Sequence, residues 1–338
     1  MSGSSYILYV LAVHYFLCSS QRFPFFVFGM TSPHQNPIIT RKMQQPSYLK
    51  LPNEDHIAYH STNNNSKKEG ASDITGVIFC CGFRSSMNGN KALALEEYCR
   101  SKLNLGFTRF DYRGHGHGEE CLQPERNDDN SYFQKLGLSD WIEDACAILK
   151  HVVQNHNGGR QIIVGSSMGA WIAIHVALKF PQHVAGIVGI AAAPDFTRDI
   201  WNGISDKEKE QLKTEGRILL PSEYSDHPYP ISLHLIEDGN QWLLLNDNNH
   251  DGAKNDKKEK GSTIKLNPDI PVRLIHGQKD TDISWKKSVA LAGSISHDDV
   301  LVTLIKSGDH RLSTPRDLRI ILRVLGDLID STDMDIDV

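Results

Sequence analysis

The chain is short of several things. Among its 338 residues there are six cysteines, and no two of them form a Cys-x-x-Cys pair. A thiolate zinc site therefore has no scaffold. Cys80 and Cys81 adjoin within an apolar run where both cannot bridge, so the cysteines read as small buried hydrophobes in a reducing compartment. No apolar run reaches the roughly 20 residues of a membrane-spanning helix. Excess positive charge is absent too: the formal net charge is -5, which argues against a nucleic-acid partner. With 39% hydrophobic and 23% charged residues the chain can fill a sizeable core, which excludes disorder throughout. The length fits two domains or one α/β domain with insertions.

Acid is missing from the N-terminus: the first acidic residue is Glu54. The acid-free leader, with Arg22, Arg41, Lys42 and Lys50, has the character of an organelle transit peptide. The apolar stretch Tyr6–Leu17, followed by Cys18, Ser19 and Ser20, leaves a secretory signal or membrane anchor open, although no basic residue precedes it. Either way residues 1–45 are expected to be a targeting segment outside the fold, with one folded domain over 46–330 and an acidic tail over 331–338.

Beyond the leader, short apolar runs alternate with helical patterns. Strands are expected at Pro46–Leu51, His56–His60, Val77–Cys81, Thr108–Asp111, Gln161–Gly165, Val184–Ala192, Val272–His276 and Val300–Ile305. Helices are expected at Lys91–Lys102, Leu138–Val153, Ser167–Lys179 and Pro315–Ile329. Continuous apolar runs bounded by glycine suit strands buried on both faces, and their alternation with helices predicts a mainly parallel sheet with an antiparallel N-terminal edge. Asp195–Gln241 breaks the rhythm and reads as a cap insertion with helices at Lys207–Gly216 and Tyr229–Glu237. Asn63–Ser72 is polar loop. Asn246–Ser262, built from Asn, Asp, Lys and Gly, reads as a mobile surface loop.

The chemistry is concentrated at strand ends. Gly165-Ser166-Ser167-Met168-Gly169 matches G-x-S-x-G between an expected strand and an expected helix. Small residues two before and two after the serine let strand and helix approach, so a strained turn can hold its Oγ clear of the sheet. Ser167 has Gly165 and Gly169 in those places, whereas the neighbouring Ser166 has Val164 and Met168. A serine hydroxyl needs a base, and the base an orienting carboxylate. After Ser167, the strand Val272–His276 leads to Asp280, with Asp282 as fallback, and the strand Val300–Ile305 leads to His310. The oxyanion donors expected are the backbone amides of Met168 and Phe83. Arg84 would hold its loop or meet an anionic substrate group. His115 and His117 are too weakly spaced for a metal site and read as loop residues. Phe196, Ile200, Trp201 and Leu233 are candidates for an acyl pocket. No metal or organic cofactor is required.

Several segments extend the match beyond these motifs. Cys81–Ser85, Lys91–Glu96, Phe110–Gly116, Gly189–Thr197, Leu235–Gly239, His276-Gly277 with Asp280, and Gly308–Ser313 occur in this order. Together they resemble the α/β-hydrolase family of mitochondrial palmitoyl-protein thioesterases and mycophenolic acid acyl-glucuronide esterases, with their bacterial relatives, from about Gly76 to Ile329. The resemblance implies an α/β-hydrolase fold and hydrolysis of acyl thioesters on palmitoylated protein cysteines and of acyl-glucuronide esters. It also implies a mitochondrial location and a triad on Ser167, Asp280 and His310. Cys80-Cys81 stands where the family has Leu-Pro, Ala170 where a second glycine is common, and Asn246–Ser262 is an insertion beside the cap. Two other readings share the residues: a general carboxylesterase or lipase on small esters, and a catalytically inactive hydrolase fold used as a binding module.

Overall fold

Residues buried on both sides of a sheet must be apolar along their whole length, and the central strands obey this rule. The computed structural model describes residues 45–62, 74–116, 132–155, 159–221, 228–245 and 263–333. Residues 1–44, the polar segment at 63–73, His117, the 246–262 insertion and residues 334–338 lie outside them. Eight strands form the main sheet: β1 (Ser47–Lys50), β2 (His56–Thr62), β3 (Ile74–Cys80), β4 (Gly106–Asp111), β5 (Arg160–Ser166), β6 (Val184–Ile190), β9 (Val272–Gly277) and β10 (Val300–Ile305). Their order is β1-β2-β4-β3-β5-β6-β9-β10. The β1–β2 and β2–β4 pairs are antiparallel and the remainder parallel. All seven residues of β6 are buried, as are all six of β4 and of β9.

The helices divide between the two faces. α1 (Asn90–Tyr98) and α8 (Pro315–Asp333) pack against each other, as do α2 (Leu138–Asn155) and α3 (Met168–Lys179). Glycines in β6 show which face each pair covers. A side chain at Gly186 would meet Leu328 of α8, and one at Gly189 would lie 3.4 Å from Ala170 of α3. These positions differ by an odd number of residues, so they point to opposite faces. On α2 the stripe of Trp141, Ala145, Ile148, Leu149 and Val152 is buried throughout. α3 is buried nearly all round, and this is possible because α2 covers its outer side.

The structure departs from the expected elements in several places, and adds unforeseen helices at Phe196–Gly203 and Lys286–Ser294. Val77–Cys81 shifts to Ile74–Cys80, so Cys81 falls just past the strand. The first helix ends at Tyr98 and widens into a π turn over Cys99–Leu103, closed by Asn104 at φ 53°. The last helix continues past Ile329 to Asp333, into the stretch expected to be tail. Tyr229–Glu237 is not one helix. Tyr229–Ser232 is strand β8, paired antiparallel with β7 (Arg217–Leu220), before a helix begins. The pairing places Ile218 opposite Ile231, both buried, and this cross-strand contact outweighs the helical reading of so short a segment.

Between β6 and β9 the chain therefore forms α4 (Phe196–Gly203), α5 (Asp206–Glu215), the β7–β8 pair and α6 (Leu233–Gly239). Ser205 and Glu208 form a reciprocal capping box at the start of α5. Both ends of this insertion are clamped to the body by buried polar groups. Asp195, at φ 58° and fully buried, accepts the Leu244 amide on Oδ1 and the Leu245 amide and Arg198 guanidinium on Oδ2, each at 2.8 Å. Asp238 accepts the Ser139 amide at 2.7 Å and its hydroxyl at 2.5 Å. The Trp171 indole and His175 Nε2 share the Trp242 carbonyl, at 2.9 and 2.8 Å.

Two stability predictions follow from this packing. A methyl at Gly169 would sit 2.1 Å from the Cys80 carbonyl oxygen, so Gly169→Ala should cost about 3 kcal/mol in urea unfolding. Asp195→Ala strands two buried amides and a guanidinium and should cost about 2–3 kcal/mol by the same measurement.

Candidate functional site

The C-terminal ends of β3, β5, β9 and β10 converge on one cavity of about 600 Å³. β5 delivers Ser167. The turn is strained in the manner the sequence pattern requires: Ser167 sits at φ 55°, ψ −119°, outside the helix that starts at Met168. Its neighbours leave no room for side chains. A Cβ on Gly165 would lie 2.3 Å from the Gly169 carbonyl oxygen. The strain is held by the Ser167 amide on the Ile190 carbonyl at 2.8 Å and by the Ser167 carbonyl, which accepts from Ala170 at 3.0 Å and Ala193 at 3.3 Å.

β9 and β10 deliver the other two groups, and their loops are built as one unit. The Gln278 amide donates to the Ile305 carbonyl at 2.8 Å and the Lys279 amide to the Gly308 carbonyl at 2.9 Å. A Cβ on Gly277 would lie 2.2 Å from that Gly308 oxygen, so only glycine permits the approach. The result is that His310 Nε2 lies 3.1 Å from Ser167 Oγ and His310 Nδ1 lies 2.7 Å from Asp280 Oδ2. The structure thus brings Ser167, His310 and Asp280 together. The fallbacks lie beside them in other settings: Ser166 is buried as the last residue of β5, and Asp282 is exposed, giving its amide to Asp280 Oδ1 at 3.0 Å.

The Asp280 side chain is fully buried. Burial alone would raise its affinity for a proton, but hydrogen bonds from His276 and His310 outweigh it and hold the carboxyl well below the usual carboxylate range. Asp280 is therefore ionised across the neutral range and keeps the N–H of His310 on Nδ1, leaving Nε2 to face the serine.

Met168 is the first residue of α3, so its amide is one of the N–H groups a helix leaves without an internal acceptor. Gly82 packs against Ser167: a Cβ there would be 3.3 Å from Ser167 Cβ. Phe83 follows it, and both Phe83 and Met168 line the cavity. The Phe83 ring stacks among His115, Phe133, Trp141, Phe196 and Tyr229, which fixes the loop from one side. Two buried charged residues of β4 fix it from the other. Asp111 accepts the Met87 amide at 2.6 Å, and Arg109 reaches the Met87 carbonyl at 3.3 Å and Asn88 Oδ1 at 2.5 Å. These anchors were missed in the sequence; the β4 residues Arg109 and Asp111 alternate with apolar neighbours in a fully buried strand, and a buried charge is the signal that could have found them.

The cavity wall has two characters. Phe196, Ile200, Leu220 and Ile231 are among its apolar lining, and Arg84, Lys91 and Arg311 are its cationic lining. Of the four expected acyl-pocket residues, Phe196 and Ile200 line it; Trp201 and Leu233 instead pack against the core. Arg84, at φ 52°, stacks its guanidinium over Phe133 at 4.6 Å and Tyr229 at 5.8 Å. Lys91 donates to the carbonyl of Arg311 at 2.5 Å, tying α1 to the residue after His310. His115 is enclosed by aromatic rings, and burial lowers its pKa to about 4. Among the described residues, one group brings three metal-type ligand atoms within 4.8 Å: Asp280, Asp282 and His310. There the imidazole and the Asp280 carboxylate already hydrogen-bond each other, an arrangement suited to moving a proton. Cys80, Cys81, Cys99 and Cys146 are buried free thiols, and burial pushes Cys80 up to about 12.

This geometry has counterparts. The family profile described as "Serine aminopeptidase, S33" matches residues 77–220. The chain is 32% identical over 285 residues to the Bos taurus protein named palmitoyl-protein thioesterase ABHD10, mitochondrial, covering 84% of this chain and 80% of that one. Among solved structures, α/β-hydrolase domain-containing protein 10 from mouse superposes with a TM-score of 0.66 at 29% identity, covering 85% of this chain and 99% of that chain. A putative hydrolase from Agrobacterium vitis S4 gives 0.68 at 28% identity, with 84% and 98% covered. With sheet order, strained serine turn and relatives in agreement, the chain belongs to the α/β-hydrolase family, in the group of serine hydrolases that includes ABHD10.

Proposed function

We propose that this hydrolase removes acyl groups from protein cysteines, with Ser167 as nucleophile, His310 as general base and Asp280 as its orienting acid. One observation carries the reading: the unbroken line from Ser167 Oγ to His310 Nε2 at 3.1 Å and from His310 Nδ1 to Asp280 Oδ2 at 2.7 Å. His310 takes the serine proton as Oγ attacks the thioester carbonyl. The amides of Phe83 and Met168 hold the oxyanion, and the imidazolium returns its proton to the departing thiolate. Water, deprotonated by the same imidazole, then releases the fatty acid from Ser167. No step calls for a metal or organic cofactor.

The substrate class follows from the wall of the cavity and from the name the Bos taurus relative carries. Its apolar lining, with Phe196, Ile200, Leu220 and Ile231, suits a long acyl chain. Its partners are then S-acylated proteins. The cationic lining residues Arg84, Lys91 and Arg311 favour a second activity on acyl-glucuronide esters, whose leaving group carries a carboxylate. The acid-free stretch before Glu54 and the relatives named mitochondrial support a mitochondrial location, with residues 1–45 as the transit segment. Among the described residues no helix is long and apolar enough to cross a membrane.

A fluorophosphonate probe should label the wild type and leave Ser167→Ala unlabelled, with kcat lowered by at least about 10⁴-fold. A folded wild type that takes no label would point instead to a binding module. Palmitoyl thioesters should exceed short-chain esters in kcat/KM by at least about tenfold, the worth of a few buried methylenes. Equal turnover of both would assign a general carboxylesterase.

A further inference from the structure

We propose that His276 is a positioning residue of this site: from the end of β9 it gives Asp280 Oδ2 a second imidazole N–H, fixing the carboxylate and moderating its hold on His310. The inference rests on the reading of Ser167, His310 and Asp280 as a catalytic triad. His276 is wholly buried. Its Nε2 lies 3.0 Å from Asp280 Oδ2 and 3.0 Å from the Ile283 carbonyl oxygen. Both partners are acceptors at neutral pH, so Nε2 must carry the hydrogen. Nδ1 lies 2.7 Å from the hydroxyl of Ser288, itself fully buried on α7 (Lys286–Ser294). A neutral imidazole with its hydrogen on Nε2 and a donating Ser288 satisfies every one of these contacts. Five side chains therefore form one hydrogen-bonded series from α7 to the nucleophile: Ser288, His276, Asp280, His310 and Ser167.

The consequence is electrostatic. Asp280 Oδ2 is shared by two imidazoles, while Oδ1 takes the amides of Asp282 and Ile283. A carboxylate oxygen shared with a second donor is a weaker acceptor for the first. Removing His276 concentrates the charge on His310, which favours the imidazolium, and the acid side of the activity profile moves to higher pH. Other charged groups flank the pair: Arg311 follows His310 and accepts the Lys91 ammonium on its carbonyl. Asp282 is on the same loop. Asp309, beside His310, accepts the Leu312 amide. Lys279 flanks Asp280 in the chain. Lys287 of α7 turns its ammonium to the Pro194 carbonyl and Asp199. None of these is altered by changing His276.

The test uses His276→Leu, which removes the donor, and His276→Gln, whose amide can restore it. Both are assayed on p-nitrophenyl butyrate across pH, beside Ser167→Ala. Expected for His276→Leu are a kcat lower by about 10- to 100-fold, a KM within about threefold of wild type, and an acid limb of kcat/KM displaced to higher pH. His276→Gln should return the limb and most of kcat. A limb that stays at its wild-type position in His276→Leu overturns the inference, as does a folded His276→Gln no better than His276→Leu. Should His276→Leu fail to fold, Ser288→Ala replaces it. Loss of the hydroxyl weakens the same N–H as a donor, so a smaller displacement in the same direction is expected, and an unchanged profile overturns the inference. Full turnover by Ser167→Ala would defeat the triad reading itself; an inactive Ser167→Ala beside a wild-type His276→Leu would defeat this inference alone.

Discussion

A single buried carboxylate organises the site. Asp280 receives four hydrogen bonds, from His276 and His310 on one oxygen and from the amides of Asp282 and Ile283 on the other. Burying a charge is costly unless it is fully solvated by the protein, and here the donors come from both sides of the β9 loop and from the loop after β10. The same bonds that make the charge tolerable also dictate where His310 can stand. The two loops cannot drift independently, because Gly277 and Gly308 are in backbone contact. The distance between an acid and a base thirty residues apart in the chain is thereby reduced to the local geometry of one glycine pair.

The serine is held by a different device. Its φ of 55° is a conformation that a non-glycine residue adopts only when its surroundings insist. The surroundings are the backbones of β3 and α3, which close on Gly165 and Gly169. Strain stored there is offset by the packing of an almost wholly buried helix, and this links the setting of Ser167 to the stability of the core. The loop after β3 is likewise gripped at Met87 by Asp111 and Arg109 and at Phe83 by an aromatic cluster. The groups to which the proposed mechanism gives the parts of nucleophile, base and oxyanion donors are thus each held by packed strand and helix ends, as preorganised electrostatic stabilisation demands.

Much of this was legible in the sequence because it is written in local terms. A continuous apolar run such as Val300–Ile305 declares a strand, and Gly165-Ser166-Ser167-Met168-Gly169 between a strand and a helix declares a turn. The stripe on Leu138–Asn155 declares a buried face. What was not legible depends on partners distant in the chain. The β7–β8 pair is four residues a side, too short for periodicity to distinguish from helix, and exists because Ile218 finds Ile231. Trp201 and Leu233 are as apolar as Phe196 and Ile200, and composition cannot say which of them face a cavity. His276 ends its strand as an apolar residue would, and its meaning lies in Ser288 and Asp280, reached only through the fold.

The cap segment illustrates how clamping shapes specificity. Asp195 holds the start of the insertion to the segment that leaves it, since the amides of Leu244 and Leu245 bind the same carboxylate. Asp238 pins α6 to the N-terminus of α2, and Trp242 is joined to α3 through Trp171 and His175. Swinging the segment away would exchange these bonds for bonds to water, at a net cost of about 0.5–1.5 kcal/mol for each. The wall formed by Phe196 and Ile200 is therefore a fixed surface beside Ser167. Apolar side chains of the cap and the cationic Arg84, Lys91 and Arg311 thus line one cavity with Ser167, so a ligand held there meets both kinds of surface at the strained turn.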